Sequence, residues 1–177
     1  MSLDTPRLIL VPCSPQHLLV LIHDPQRFGE LMGAPAADGL RGFFVSDDVS
    51  PEWLARLQEA TGPDPWRHGF FVVDRAHRSV IGSAGFKGPA DATGMVEIAY
   101  GIVPSCQGCG YATEAAAALV QFAFANEHVR CVRAHTLPTP NASTRVLEKC
   151  GFRRTGRVVD PEDGPVWRWE RDRGPVD

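Results

Sequence analysis

Glu97 stands in the middle of an alternating apolar run, Met95 to Val103, where a carboxylate is an uncommon occupant. With a period of two, Val96, Ile98, Tyr100 and Ile102 share one face, and Glu97, Ala99, Gly101 and Val103 share the other. A carboxylate among small or apolar neighbours is a candidate general base, because desolvation raises its pKa toward a useful value. The competing reading is a carboxylate that pairs with an arginine and merely positions a substrate. His135, near the end of the run Val129 to Thr136, is a second candidate base, against the plainer reading of a histidine that satisfies structure. Between these runs lies Gln107-Gly108-Cys109-Gly110-Tyr111-Ala112-Thr113-Glu114. Its glycines let the backbone turn so that several amides converge, and the helix that follows adds positive potential. That is an anion cradle, with a phosphate as its natural occupant.

Three nucleotide-type readings compete for the cradle. A Walker A loop needs Gly-Lys-Ser/Thr, and no lysine precedes Thr113. A Rossmann fingerprint needs a third Gly or Ala where Thr113 stands and an acid after the next strand, which reads Ala134-His135-Thr136. Cys106 and Cys109 form a CxxC, but a zinc site takes about four ligands and no second such pair follows, so no metal is expected. They read as turn residues. The sequon Asn141-Ala142-Ser143 reads as incidental, for no secretory signal precedes it.

The elements that must position these residues follow from periodicity and caps. A β-type run spans Arg7 to Pro12, and Ser14-Pro15 caps a helix through about His23. Asp24 to Ser50 reads as loops and short helical turns, and Ser50-Pro51-Glu52 then caps a helix ending near Gly62. Strands are expected at Phe70 to Val73 and Val80 to Phe86, followed by the loop Lys87 to Gly94 and the Glu97 strand. A long helix runs from the cradle to about Asn126, then a strand from Val129 to Thr136 and a helix from Asn141 to Cys150 stopped by Gly151. Phe152 to Asp160 and Val166 to Glu170 form a hairpin around Asp163-Gly164, and from Arg171 the chain reads as a tail. The expected class is α+β (mixed α/β): one domain over residues 1–177 with a mostly antiparallel sheet and one strand-loop-helix-strand crossover.

The third reading of the cradle is a resemblance. Gln107-x-x-Gly110-x-Ala112 resembles the pyrophosphate loop of the GCN5-related N-acetyltransferase superfamily. Glu97-Ile98-Ala99-Tyr100-Gly101 and Tyr111-Ala112-Thr113-Glu114 are similar to its RimJ/RimL-like branch, as is Asn141 to Phe152 with its Glu148-Lys149-Cys150-Gly151-Phe152 ending. The likeness runs over most of Arg7 to Glu170 in element order. It implies acetyl-CoA as cosubstrate, lying in a V where two parallel strands splay apart. It places the amides of Gln107, Gly108, Cys109, Gly110, Tyr111 and Ala112 on the pyrophosphate, main-chain groups of Ile102 and Val103 on the pantetheine arm, and Asn141 and Ser143 near the thioester. Dimers are common among such proteins, so a monomer or a homodimer is expected.

An amine attacks a thioester only when unprotonated. An α-amine of pKa about 8 is partly free at neutral pH, whereas a lysine amine near 10.4 needs a base. Glu97 and His135 are the candidates. Many relatives by this resemblance carry a tyrosine acid where Leu147 stands, which leaves Ser143 or water to meet the thiolate; otherwise Ser143 serves the first helical turn. The oxyanion is expected at a main-chain N–H near Val103. Trp53, Trp66, Trp167 and Trp169 read as core or as walls of an acceptor pocket, and Arg153, Arg154 and Arg157 as a solvated face or an anion contact.

Composition narrows the classes. The chain has 177 residues, is 44% hydrophobic and carries 18 Lys+Arg against 21 Asp+Glu, which excludes disorder and nucleic-acid binding by bulk charge. No apolar run approaches the roughly 20 residues of a membrane helix. With five cysteines lacking disulfide-framework spacing, a cytoplasmic setting is expected. The acceptor is expected to be a peptide N-terminus or a small amine. Two rivals stay open: a non-catalytic acyl-CoA-binding module and a Rossmann-like nucleotide binder.

Overall fold

Period-two apolar segments gather most of the chain into one eight-stranded sheet of order β1-β2-β3-β4-β5-β6-β8-β7. Its strands are β1 (Leu3–Asp4), β2 (Leu8–Pro12), β3 (Phe70–Asp74), β4 (Ser79–Phe86), β5 (Met95–Ile102), β6 (Cys131–Thr136), β7 (Arg153–Asp160) and β8 (Gly164–Asp172). Every neighbouring pair is antiparallel except β5 and β6. The computed structural model describes residues 1–45 and 49–174. Residues 46–48 of the expected loop stretch and 175–177 of the expected tail lie outside the described residues.

The helices are α1 (Pro15–His23), α2 (Pro25–Met32), α3 (Gly42–Val45), α4 (Pro51–Glu59), α5 (Pro65–His68), α6 (Tyr111–Ala125) and α7 (Ala142–Lys149). Phe70 and Phe71 show how they divide between the two faces, since successive strand residues point opposite ways. Phe70 meets Phe122 of α6, with ring centroids 5.4 Å apart. Phe71 meets Phe28 of α2 and Phe44 of α3 at 5.3 and 6.0 Å. On the first face α6 lays Ala115, Ala116, Leu119 and Ala123, all fully buried, against a sheet that includes Val96 and Ile98. Its small residues let the helix lie close to β5, so the N-terminus of α6 opens beside the end of that strand.

Cap signals held where a hydroxyl preceded a proline: Ser14 accepts from the amide of His17 and Ser50 from that of Trp53, both at 3.1 Å. The stretch expected as loops and short helical turns contains a helix of eight residues, α2, entered through Asp24-Pro25 and closed by left-handed Gly33. Of α2 only Phe28 is buried. The expected tail also begins later. Arg171 and Asp172 pair with Val132 and Cys131, and the Arg173 guanidinium donates to the carbonyls of Val129 and Phe124 at 2.8 and 2.7 Å. Polar side chains hid a strand whose partner lies far back in the sequence.

Candidate functional site

β5 and β6 pair in register only at Met95↔Cys131, Val96↔Val132 and Glu97↔Arg133. Beyond Glu97 each strand stays with its other neighbour, β5 with β4 as far as Ile102 and β6 with β8 as far as Thr136. The two strands therefore fork, with Glu97 at the base. In an antiparallel ladder the N–H and C=O of a residue point to the same neighbour. The amide of Val103 donates to Ile81 O and the carbonyl of Glu97 accepts from Lys87 N, both at 2.9 Å. Odd positions thus face β4, and the main-chain groups of Ile98, Tyr100 and Ile102 face the fork.

This corrects the expectation for Val103. Its amide is held by Ile81 on the side away from the fork and so is not free for a pantetheine arm or an oxyanion, and its carbonyl accepts from Cys106 N at 3.0 Å. Ile102 does face the fork, although its carbonyl accepts from Gln107 Nε2 at 2.9 Å. That bond ties the side chain of Gln107 back to the strand, and its amide donates to Pro104 O at 3.3 Å, so Gln107 drops out of the expected set of cradle amides.

A short 3-10 turn, Pro104–Cys106, leads into the cradle. Gly108 and Gly110 take φ of 77° and 82°, a left-handed region that other residues enter only with strain. Around Gly108 a side chain would meet open space. Among the described residues the amides of Gly108 to Thr113 find no backbone acceptor, and no side chain caps α6. Orphan donors and the helix dipole together favour an anion here. Of the expected cradle residues, Tyr111 sends its side chain elsewhere: its hydroxyl donates to Asp74 Oδ2 at 3.2 Å, and its ring lies under the Arg7 guanidinium. Cys109 is exposed and Cys106 half-buried, and all five cysteines are free.

Anchors hold the cradle from behind. Glu114 accepts from Thr5 Oγ1 at 2.6 Å and from Arg7 N and Nε at 2.8 Å, while Arg7 Nη1 donates to Cys109 O at 2.8 Å. Burial pushes the Glu114 carboxyl up, yet the bonds from Thr5 and Arg7 outweigh it and hold it below the usual range. Asp74 behaves likewise: burial raises it, and donors from His77, Ala76 and Tyr111 bring it below normal.

The structure brings Glu97 and His135 together. His135 Nδ1 lies 2.9 Å from Glu97 Oε1 across the fork, and each side chain is 18% exposed. Lys87 also reaches the same oxygen, Nζ to Oε1 at 2.9 Å. The surroundings of Glu97 are therefore charged, not apolar as the alternation suggested. Both contacts fall on Oε1, and Oε2 accepts from no protein group among the described residues. Burial pulls the Lys87 amine down, but the Glu97 contact and the carboxylates of Asp160 and Asp163 raise it above normal. Lys87 was missed because it sits in the loop reading. Counting back along the hairpin from Phe86↔Ile98 is the signal that places it opposite Glu97.

On the other wall of the fork, Asn141 is the cap of α7. Its Oδ1 accepts from Thr144 N at 3.0 Å while Thr144 Oγ1 accepts from Asn141 N at 3.0 Å. Ser143 is thus free of the capping duty expected for it; it is exposed, and its hydroxyl faces that of Tyr100. Burial pushes the Tyr100 phenol well above normal, so it stays a proton donor. Leu147 is fully buried.

The opposite face carries a groove. One cavity of about 350 Å³ is lined by Phe43, Phe44, Trp53, Ala99 and Glu162, among others. A second, of about 860 Å³, shares Trp53, Arg67, His68 and Phe86 with it and extends to Lys87. Phe43 closes over Gly101, where an added Cβ would lie 3.2 Å from the ring. Of the four tryptophans only Trp53 lines this groove. Trp66 packs on Phe86 at 4.6 Å, Trp169 is buried with Nε1 donating to Thr136 Oγ1 at 3.0 Å, and Trp167 lies beneath Arg154 at 4.3 Å. Arg153, Arg154 and Arg157 sit on edge strand β7, with β8 and β6 between them and the fork. Among the described residues no three His, Cys, Asp or Glu converge as metal ligands, and no helix is long and apolar enough to cross a membrane.

A family model described as an acetyltransferase (GNAT) domain matches residues 7–153, which takes in the fork, the cradle and α7. The chain belongs to the GNAT acetyltransferase family. Within that family it is 31% identical over 110 residues to YjdG, an uncharacterised N-acetyltransferase of Bacillus subtilis (strain 168), a match covering 62% of this chain and 63% of the relative. The chain thus spans somewhat under two thirds of that GNAT relative's length. Two solved structures share the fold. RimL, an alpha-N-acetyltransferase of a ribosomal protein solved with coenzyme A, matches with a TM-score of 0.66 and 15% identity over 97% of this chain and 98% of that one. An aminoglycoside acetyltransferase, also with coenzyme A, matches with 0.62 and 22% identity over 94% and 95%.

Proposed function

We propose that this GNAT chain is an acetyl-CoA-dependent N-acetyltransferase that passes an acetyl group directly to a primary amine, a peptide N-terminus or a small molecule. The observation that carries the reading is the junction of three features: an uncapped amide cradle, a strand fork into which main-chain groups of β5 point, and a Glu97–His135 pair at its base. The residues fit the cosubstrate. Amides of Gly108 to Thr113 would hold its pyrophosphate, and the fork-facing groups of Ile98, Tyr100 and Ile102 its pantetheine arm. When bound, acetyl-CoA supplies a thioester carbonyl open to attack.

The chain's own groups then divide the work. Oε2 of Glu97 is placed to accept a proton from an incoming amine, directly or through water, while His135 fixes Oε1. Ser143, backed by the protonated Tyr100, offers a hydroxyl for the departing thiolate, with Asn141 holding α7 in place. The groove on the Ala99 face receives the acceptor, and Asp160, Glu162 and Asp163 at the hairpin tip favour a cationic one. RimL and the aminoglycoside enzyme show that one fold serves both peptide and small-molecule amines.

The test is calorimetry with acetyl-CoA followed by thiol release over peptides with varied N-termini, polyamines and aminoglycosides. Micromolar binding with turnover of at least one amine is expected. Binding without turnover would make the chain an acyl-CoA-binding module, and binding of NAD or ATP in its place would reverse the reading altogether.

A further inference from the structure

Lys87 is one of only two lysines in the chain, the other being Lys149, against sixteen arginines. Among the described residues every other Lys/Arg ion pair with a carboxylate uses arginine: Arg7, Arg27, Arg67, Arg75, Arg133 and Arg168. For a permanent ion pair the planar, always-charged guanidinium is the better choice. Among the described residues an amine is paired only with Glu97, and an amine is a group that can lose its proton and become a nucleophile. The amide of Lys87 is locked to Glu97 O at 2.9 Å, which sets its side chain directly across from the carboxylate. Its Nζ rests 2.9 Å from Oε1, while the side chain as a whole is 51% exposed and swings on a flexible four-carbon stem. The fork opens one residue further along β5.

We infer that Lys87 occupies the acceptor-amine position of its own active site and is acetylated there by the enzyme itself. The inference rests on the proposed function, since it needs an acetyl thioester in the fork. The ammonium gives one proton to solvent through Glu97, and the neutral Nζ attacks the thioester carbonyl. A C–N bond forms, the C–S bond breaks, and the second amine proton passes through Glu97 to the CoA thiolate. The product is Nε-acetyl-Lys87 with free CoA. The Glu97 pair favours the protonated amine, so this reaction is slower than transfer to an α-amine and builds up when acceptors are scarce. Acetylation removes the charge that pairs with Glu97 and leaves an amide in the acceptor position.

The full chain is incubated with acetyl-CoA and no acceptor, and the acetyl on Lys87 and Lys149 is mapped by mass spectrometry. Lys87 is expected to react about 10²-fold faster than Lys149, the scale of positioned base catalysis, at a rate unchanged on dilution. Glu97→Gln should bring the two lysines to the same rate, and a good acceptor amine should protect Lys87 in the wild-type chain. Equal labelling of both lysines, a rate that falls on dilution, or full labelling in folded Glu97→Gln would overturn the inference. If that variant does not fold, the dilution and acceptor-protection results on the wild-type chain decide. Calorimetry on the same sample separates the two readings: failure to bind acetyl-CoA overturns the proposed function, whereas binding and acceptor turnover with Lys87 unmodified overturns this inference alone.

Discussion

Glu97 collects two donors on Oε1 and leaves Oε2 open, an asymmetry that separates holding the carboxylate from using it. Replacing it with glutamine keeps the shape of the side chain but removes the proton acceptor. Turnover in Glu97→Gln is expected to fall by about 10²-fold with acetyl-CoA affinity nearly unchanged, measured by thiol release and calorimetry in parallel. Unchanged turnover would exclude Glu97 as the base. His135→Asn separates the partner's role: it removes the contact that fixes Oε1, so kcat should drop while the KM of the acceptor moves little. Lys87 carries a sign of its own. Its pKa is raised in the fold, so its contribution to stability is complete below the ordinary lysine value and is lost as pH rises through the shifted one.

At the scale of elements, the cradle depends on two left-handed glycines and on Glu114 tying α6 back to the β1–β2 turn at Thr5 and Arg7. Gly110→Ala forces a Cβ into positive φ and against Arg7 Nη2 at 3.3 Å. Strain of about 1 kcal/mol is expected, together with roughly a tenfold loss of acetyl-CoA affinity by calorimetry, as the converging amides shift. Helix α7 depends on its capping box. Asn141→Ala should cost about 1 kcal/mol of stability in denaturant titration and disturb Ser143 with it. The cradle and the span of α7 were legible in the sequence, because Gly-x-Gly before a helix and a stop at Gly151 are local signals; the cap of α7 was not, since Asn141 and Thr144 hold it in place of Ser143. α2 was legible only as a short helical turn, because its eight residues lie in a Gly- and Pro-rich stretch, with Gly29 inside it and Gly33 and Pro35 just beyond, and only Phe28 is buried.

At the scale of the whole molecule, two carboxylate anchors, half-buried Glu114 and buried Asp74, join remote segments. Glu114 binds Thr5 and Arg7, and Asp74 joins the β3–β4 turn to Tyr111 at the start of α6. Both carboxyls are held below their ordinary pKa, so the stability they contribute is present above the unfolded values near pH 4 and is lost as pH falls through the folded ones. Denaturation midpoints measured against pH should therefore drop below about pH 4. Asp74→Asn should flatten that drop, at a cost of about 1–3 kcal/mol at neutral pH. Because Tyr111 begins the cradle helix, the same variant should also weaken acetyl-CoA binding.

The sequence by itself determined what is local or periodic: which runs are strands, where helices are capped, where amides converge, and which carboxylate lies out of pattern in an apolar strand. These follow from backbone stereochemistry and side-chain alternation over a few residues. Tertiary structure decided what depends on register between distant segments. It put His135 and Lys87 on one oxygen of Glu97, turned the main-chain groups of Val103 away from the fork, and drew Arg171 and Asp172 into the sheet. No spacing rule links residues 87, 97 and 135 until strands are paired, because the energy that aligns them is the burial and hydrogen bonding of the whole sheet.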